Sequence, residues 1–256
     1  MRLENYILNE GRGKGISKDV AIELLLKNCK QAIKAYNDRY EIFRGVNHNK
    51  DYVYIDPKKG VRRSTSGIPN YYTYIMTNTK EWKAYPKRSR SLICATKRSS
   101  AECYGDVYIV FPYDGAKIGI CSDTDIWHSF KNVDSVNVFL RQVNSVFDNV
   151  HGLHGDYDKS FKAFKDACKK VDVCYEDAGS FKEVNRYFMS YKYFEYTGNF
   201  YKDLCKVFSP DGFKLAKIGD NLGAYHEVWT DSESIMVSEK AINDIYGRVL
   251  WDLKTI

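Results

Sequence analysis

The chain has 256 residues, 39 Lys and Arg against 33 Asp and Glu, and a formal charge of +6. Hydrophobic residues make up 44% and charged residues 28%, a globular balance that excludes a disordered tail, a collagen-like rod and a membrane bundle. A chain this long buries about 70–75% of its unfolded surface and needs no covalent staples. Its 15% aromatics and 5 prolines favour sheet over linker.

Residues 1–16 carry Gly11, Gly13 and Gly15, but NYILNE before them is a poor strand and no lysine stands where a phosphate loop needs one; they read as a flexible lead-in. Ser17 caps a helix over Lys18–Tyr36. A strand follows at Arg39–Val46, then loop chemistry with a short strand at Tyr52–Ile55. Asn70–Trp82 reads as a helix with Tyr71, Tyr72, Ile75 and Met76 inside. The loop YPKRSRS leads to an apolar strand at Leu92–Ala95, and KRSSAECYG makes a short helix. Val107–Phe111 is the strongest strand, closed by the turn Pro112–Gly115. Helices are predicted at Val136–Val150, Ser160–Lys170 and Phe181–Tyr191, with a tyrosine-rich helical stretch to Val207. Strands return at Phe213–Ile218, Ala224–Trp229 and Ser234–Val237, and a helix closes near Glu239–Leu250. Helix, strands, helices, strands without internal repeat or linker predict one α+β domain over 17–256.

The 7 cysteines are scattered and odd in number, with no CxxC pair, so a zinc site of usual spacing is not expected. Nothing in MRLENYILNEGRGKG resembles a signal peptide, and no run reaches the roughly 18 apolar residues of a membrane span. The expectation is a soluble, cytoplasmic protein with no membrane partner and no metal. His151 and His154 have ligand-like spacing, but the glycine between them argues for a loop. No G-x-S-x-G elbow and no HExxH occur. Basic clusters between Lys58 and Arg98 suit solvated surface or an anion, either a phosphate-bearing cofactor or nucleic acid.

Three segments can carry chemistry. Arg44 ends an apolar strand, a costly place for a guanidinium unless it meets an anion, and Gly45 beside it lets a ligand approach the backbone. In the second, a strand ends in Cys94-Ala95-Thr96 and runs through a short helix into VYIVFPYDGA. In the third, YHEVWTDSESIMVS, Glu227 stands among apolar neighbours, either poised in a cleft or on the outer face of an edge strand.

In that order the segments resemble the ADP-ribosyltransferase superfamily, in its R-S-E branch. The resemblance runs over roughly Lys18–Val237. It implies a split, mostly antiparallel β-core of two packed sheets flanked by helices, and NAD as co-substrate. It assigns Arg44 to the pyrophosphate, the Gly45 backbone to the nicotinamide amide, Thr96 to orienting Glu227, and Glu227 to catalysis. The middle motif reads CAT where the family has Ser-Thr-Ser, so Cys94 replaces a hydroxyl and Ser91 or Ser89 supplies another. A literal Ser64-Thr65-Ser66 ranks second because no long strand follows it. Arg62 and Arg63 are candidates for a further phosphate contact. Tyr225 stands where arginine-modifying members carry Gln or Glu; it points away from an arginine acceptor and is able to stack on an aromatic acceptor, including a base.

The implied activity is mono-ADP-ribosylation of a macromolecular acceptor, protein or nucleic acid, by an effector of bacteriophage or bacterial style. The alternatives are a non-catalytic nucleic-acid-binding or interaction protein and an NAD glycohydrolase. The first draws on the basic segment with Tyr71, Tyr72, Tyr74, Trp82 and Tyr85, unless those rings are a buried helix face.

Overall fold

The structure, a computed structural model, describes residues 13–60, 69–150, 152–153, 155–177, 181–245, 247 and 249. In chain order the elements are β1 (Lys14–Gly15), α1 (Lys18–Asn28), α2 (Lys30–Asn37), β2 (Phe43–Val46), β3 (Tyr52–Ile55), α3 (Tyr71–Asn78), β4 (Leu92–Ala95), α4 (Arg98–Glu102), β5 (Asp106–Pro112) and β6 (Lys117–Ile120). They continue with α5 (Ile126–Ser129), α6 (Val136–Asp148), α7 (Phe161–Asp177), α8 (Phe181–Phe188), α9 (Phe200–Val207), β7 (Lys214–Lys217), β8 (Glu227–Thr230), β9 (Ser234–Ser238) and α10 (Ile242–Ile245). This is an α+β protein. It divides into two compact units: Met1–Arg63, Ala84–Ile126 and Phe213–Ile256 form one, and Ser64–Lys83 with Trp127–Gly212 form the other. Within the 17–256 span expected as one domain, the second unit interrupts the first twice.

The first unit holds all nine strands of the described residues in one antiparallel ladder, ordered β1-β3-β9-β5-β2-β4-β8-β6-β7. Where two packed sheets are expected from sequence, hydrogen bonding is continuous. Its narrowest junction is β2–β4, joined at the single pair Phe43↔Ala95. By contrast β5 and β9 pair from Tyr108↔Ser238 to Pro112↔Ser234. Ala21, Leu25 and Ile33 of α1 and α2 pack with Val53, Val110, Val237 and Ile235 in the main core.

Ser17 caps α1 by accepting from Val20 N, as its sequence position predicts. The single helix expected over Lys18–Tyr36 breaks at Cys29, because Asp114 of the β5–β6 turn takes the Gln31 N–H at 2.7 Å and so caps α2 from across the fold. The strand expected from Arg39 starts only at Phe43: Arg39 has φ +69 and Tyr40 N returns to Ala35 O, which ends the helix first. The lead-in ends in order, with Lys14 and Gly15 paired to Tyr54 and Val53; residues 1–12 lie outside the described residues.

Strand β6 has no counterpart in the sequence reading. Its Gly119 pairs with Trp229, and a Cβ there would stand 2.3 Å from the indole, so the glycine that weakens the strand signal is what the ring requires.

The second unit is helical, with an aromatic core. Tyr71 stacks on Phe164 at 5.1 Å, Phe147 on Tyr157 at 4.8 Å, and Phe139 meets Tyr191 edge-on at 4.9 Å. Ser135 caps α6 by accepting from Val138 N. The helical stretch expected through the tyrosine-rich segment is interrupted: Gly198 adopts φ +84 and Asn199 caps α9 by accepting from Lys202 N.

Candidate active site

Strands β2, β4 and β8, which carry Arg44, Cys94 and Glu227, are consecutive neighbours in the sheet. Ala95 pairs with Phe43 on one side and Glu227 on the other. Glu227 opens β8 because the residues before it cannot be extended: Gly223 has φ +77 and Tyr225 φ +68, so the strand expected from Ala224 starts three residues later. Thr96 fixes that start. Its backbone N donates to His226 O at 2.9 Å, and its hydroxyl accepts from His226 N at 3.0 Å. Thr96 thus holds the backbone before Glu227 and, among the described residues, makes no hydrogen bond to the carboxylate.

Pleat alternation sends Glu227 to one face with Trp229, and Cys94 to the core face with Val228. Arg44 has the parity of Cys94, opposite to Glu227, and its side chain turns into the narrow β2–β4 junction, where Nη1 donates to the Ile93 carbonyl. Arg44 and Glu227 both act on the Cys94 thiol. Burial, first, and the Glu227 charge push its pKa up to about 12, against the lowering pull of Arg44. Cys94 is therefore a neutral, buried thiol.

Gly45 is closed on its Cα side, where a Cβ would stand 1.8 Å from the Ala101 carbonyl; the residue must be glycine for α4 to pack. Its peptide edge is a different matter. Val110 N donates to Ile42 O, so Ile42 and Arg44 direct their backbone groups to β5, and Phe43 and Gly45 direct theirs to β4. The Gly45 edge faces the stretch where the β2–β4 ladder carries no further pair.

The remaining candidates separate. Ser91 is buried and donates to Lys87 O at 2.7 Å, which locks the turn before β4 rather than serving a ligand. Tyr225 is 57% exposed, with Lys97 Nζ 4.6 Å from its ring centroid. Arg62, Arg63 and the second-ranked Ser64-Thr65-Ser66 lie outside the described residues. Tyr71, Tyr72 and Trp82 of the basic, aromatic segment are buried, so those rings are a core face and are not offered to bases.

Sequence reasoning missed Arg88, which stands in the loop YPKRSRS as one of several basic residues. It is 1% exposed, its Nη2 lies 2.5 Å from Glu227 Oε1, and its guanidinium sits 5.3 Å from the Trp229 ring centroid. Trp229 is itself held by Nε1 donating to Pro86 O at 3.0 Å and by Tyr85 stacked at 6.1 Å. Arg88 Nε and Nη1 and His226 Nδ1 are buried without hydrogen-bond partners among the described residues. A carboxylate at the start of an apolar strand was the available signal; its partner 139 residues away was not.

A polar cavity of about 450 Å³ lies elsewhere, lined among others by His48, Lys50, Arg98, Glu102, Tyr108 and Glu239. Arg98 pairs there with Glu102 and Glu239, and none of the sequence-predicted site residues lines it. Among the described residues no group of three or more His, Cys, Asp or Glu is arranged to hold a metal ion, and no helix is long and apolar enough to cross a membrane. The chain matches no protein-family model, no curated protein and no solved structure.

Proposed function

We propose that the chain is an NAD-dependent mono-ADP-ribosyltransferase with a split β-core of that superfamily's kind. The observation that carries the reading is the adjacency, in order, of the arginine, middle-motif and glutamate strands, with the sheet nearly parted between the first two. Two features suit NAD as co-substrate: the Gly45 peptide edge turned to the parted junction, suited to an amide, and a Glu227 carboxylate with one oxygen unengaged among the described residues.

In the proposed reaction the bond between ribose C1 and the nicotinamide nitrogen breaks. Its electron pair goes to the pyridinium, which departs neutral without a general acid. The acceptor forms the new bond at C1 and loses its proton. Glu227 holds a ribose hydroxyl and stabilises the positive charge developing on the sugar, as carboxylates do in glycoside hydrolysis. Thr96 acts through the His226 backbone to fix where Glu227 begins. Arg44 has the opposite pleat parity to Glu227, and its guanidinium is to meet the pyrophosphate through the parted junction by exchanging the Ile93 carbonyl for it. Tyr225, exposed two residues before Glu227, suits contact with the acceptor.

The test is incubation with labelled NAD and a lysate, followed by protease or nuclease digestion to see which releases the label. Wild type transfers label and Glu227→Gln does not, with NAD binding kept. Equal labelling by the two would remove the assignment. Arg44→Ala weakens NAD binding by about 10–150-fold, the loss of a charge-assisted contact worth about 1.5–3 kcal/mol.

A second reading, an interaction protein that keeps this arrangement without turnover, is favoured by one observation: both charged residues are engaged within the protein, Arg44 with Ile93 O and Glu227 with Arg88. Nicotinamide release separates the two. Release without label on a macromolecule identifies a glycohydrolase.

A further inference from the structure

We propose that Arg88 is the positioning residue of this site: it anchors one carboxylate oxygen of Glu227 and so reserves the other for a sugar hydroxyl of the ligand. The inference rests on the transferase reading. Its basis is how contacts divide over the carboxylate. Arg88 Nη2 at 2.5 Å and Cys121 Sγ at 3.9 Å both reach Oε1, and Oε2 has no partner among the described residues. The Glu227 side chain keeps 15% exposure against 1% for Arg88, so what remains open of the pair is on the carboxylate.

Arg88 is itself held from several sides. Ser91 Oγ and Arg90 N both donate to Lys87 O and close the turn that presents it, and its guanidinium lies over the Trp229 ring. A group held this firmly transmits its position to what it binds.

Buried arginine–carboxylate pairs commonly close into a two-point fork. This one stays one-point, with Nε and Nη1 buried and unpartnered. A pair kept only for stability gains nothing from unmade hydrogen bonds, each of which carries a desolvation cost. One-point contact is what keeps Oε2 open. Lysine cannot reproduce it, because an ammonium lacks the planar geometry and does not stack on an indole in the same way.

The experiment compares wild type, Arg88→Lys and Arg88→Met for nicotinamide release from NAD, for NAD affinity by calorimetry, and for folding by thermal melting. The expected result is a kcat about 10²-fold lower in Arg88→Met, the usual consequence of a misplaced reacting group, with NAD affinity little changed and partial recovery in Arg88→Lys. A folded Arg88→Met with wild-type kcat overturns the inference, as does a loss confined to KM. If Arg88→Met does not fold, Arg88→Lys carries the test: its kcat falls, and an unchanged kcat overturns the inference. A wild type that binds no NAD and releases no nicotinamide sinks the transferase reading, and this inference with it. A wild type that turns over while both variants match it sinks only the role of Arg88.

Discussion

In the helical unit Asp203 is 1% exposed, and both its oxygens have local partners: Thr197 N donates to Oδ2 at 2.8 Å, Thr197 Oγ1 donates to Oδ1 at 2.9 Å, and Lys206 Nζ lies 3.3 Å from Oδ1. In the sheet unit Arg88 is as deeply buried, yet it makes one contact with Glu227 and leaves Nε and Nη1 unmatched. The first arrangement ties a loop to its following helix and is complete. The second is incomplete, and its Glu227 lies one strand away from the narrowest junction of the sheet, paired to the Ala95 that makes the single β2–β4 pair. Complete satisfaction marks a structural carboxylate. Partial satisfaction of a buried group calls for a cause, and the proposed ligand supplies one.

The contrast is sharpest in function. Glu227→Gln lowers nicotinamide release by about 10³-fold, measured as product per folded protein. The isosteric change Asp203→Asn leaves release intact. If both substitutions abolish turnover, the distinction between the two carboxylates is lost.

Core substitutions test the construction of the helical unit. Phe147 is fully buried against Tyr71, Tyr157, Phe164 and Phe200, so Phe147→Ala costs about 3–5 kcal/mol in denaturant unfolding. Gly45→Ala in the sheet unit forces α4 away from β2 and costs about 1–3 kcal/mol. Asp203→Asn keeps its shape, exchanges a charge-assisted acceptor for an amide, and costs about 1–2 kcal/mol by the same measurement.

The smallest effect concerns Cys94. Its thiol is raised from 9.0 to about 12 by burial, so the neutral form favours the fold. That contribution is complete below pH 9, the unfolded value, and is lost as pH rises through about 12. Iodoacetamide at pH 8 therefore labels the exposed Cys103 and Cys174 and spares Cys94 in the folded protein, as peptide mapping would read. Labelling of Cys94 at the same rate as those two would show a site more open than its burial implies.

Much of the local structure was legible in the chain. Ser17 was readable as a cap, and Tyr52–Ile55, Leu92–Ala95 and the strand around Val107–Phe111 as strands, because the signals are contiguous. Glu227 and Arg44 were legible as candidates because charge on an apolar strand stands out. The break at Cys29 was not legible, since the capping carboxylate belongs to Asp114. Nor was β6, whose Gly119 weakens the strand pattern in order to admit Trp229.

By itself the sequence determined the Ser17 cap, most of the strand positions and the charged residues worth watching, all of which depend on neighbours within a few residues. Only the tertiary structure decided that the strands of Arg44, Cys94 and Glu227 lie side by side, that their sheet nearly parts between the first two, and that Arg88 is the partner of Glu227. Those outcomes depend on which surfaces meet after the chain has closed long loops, and a contact across 139 residues leaves no local pattern to read.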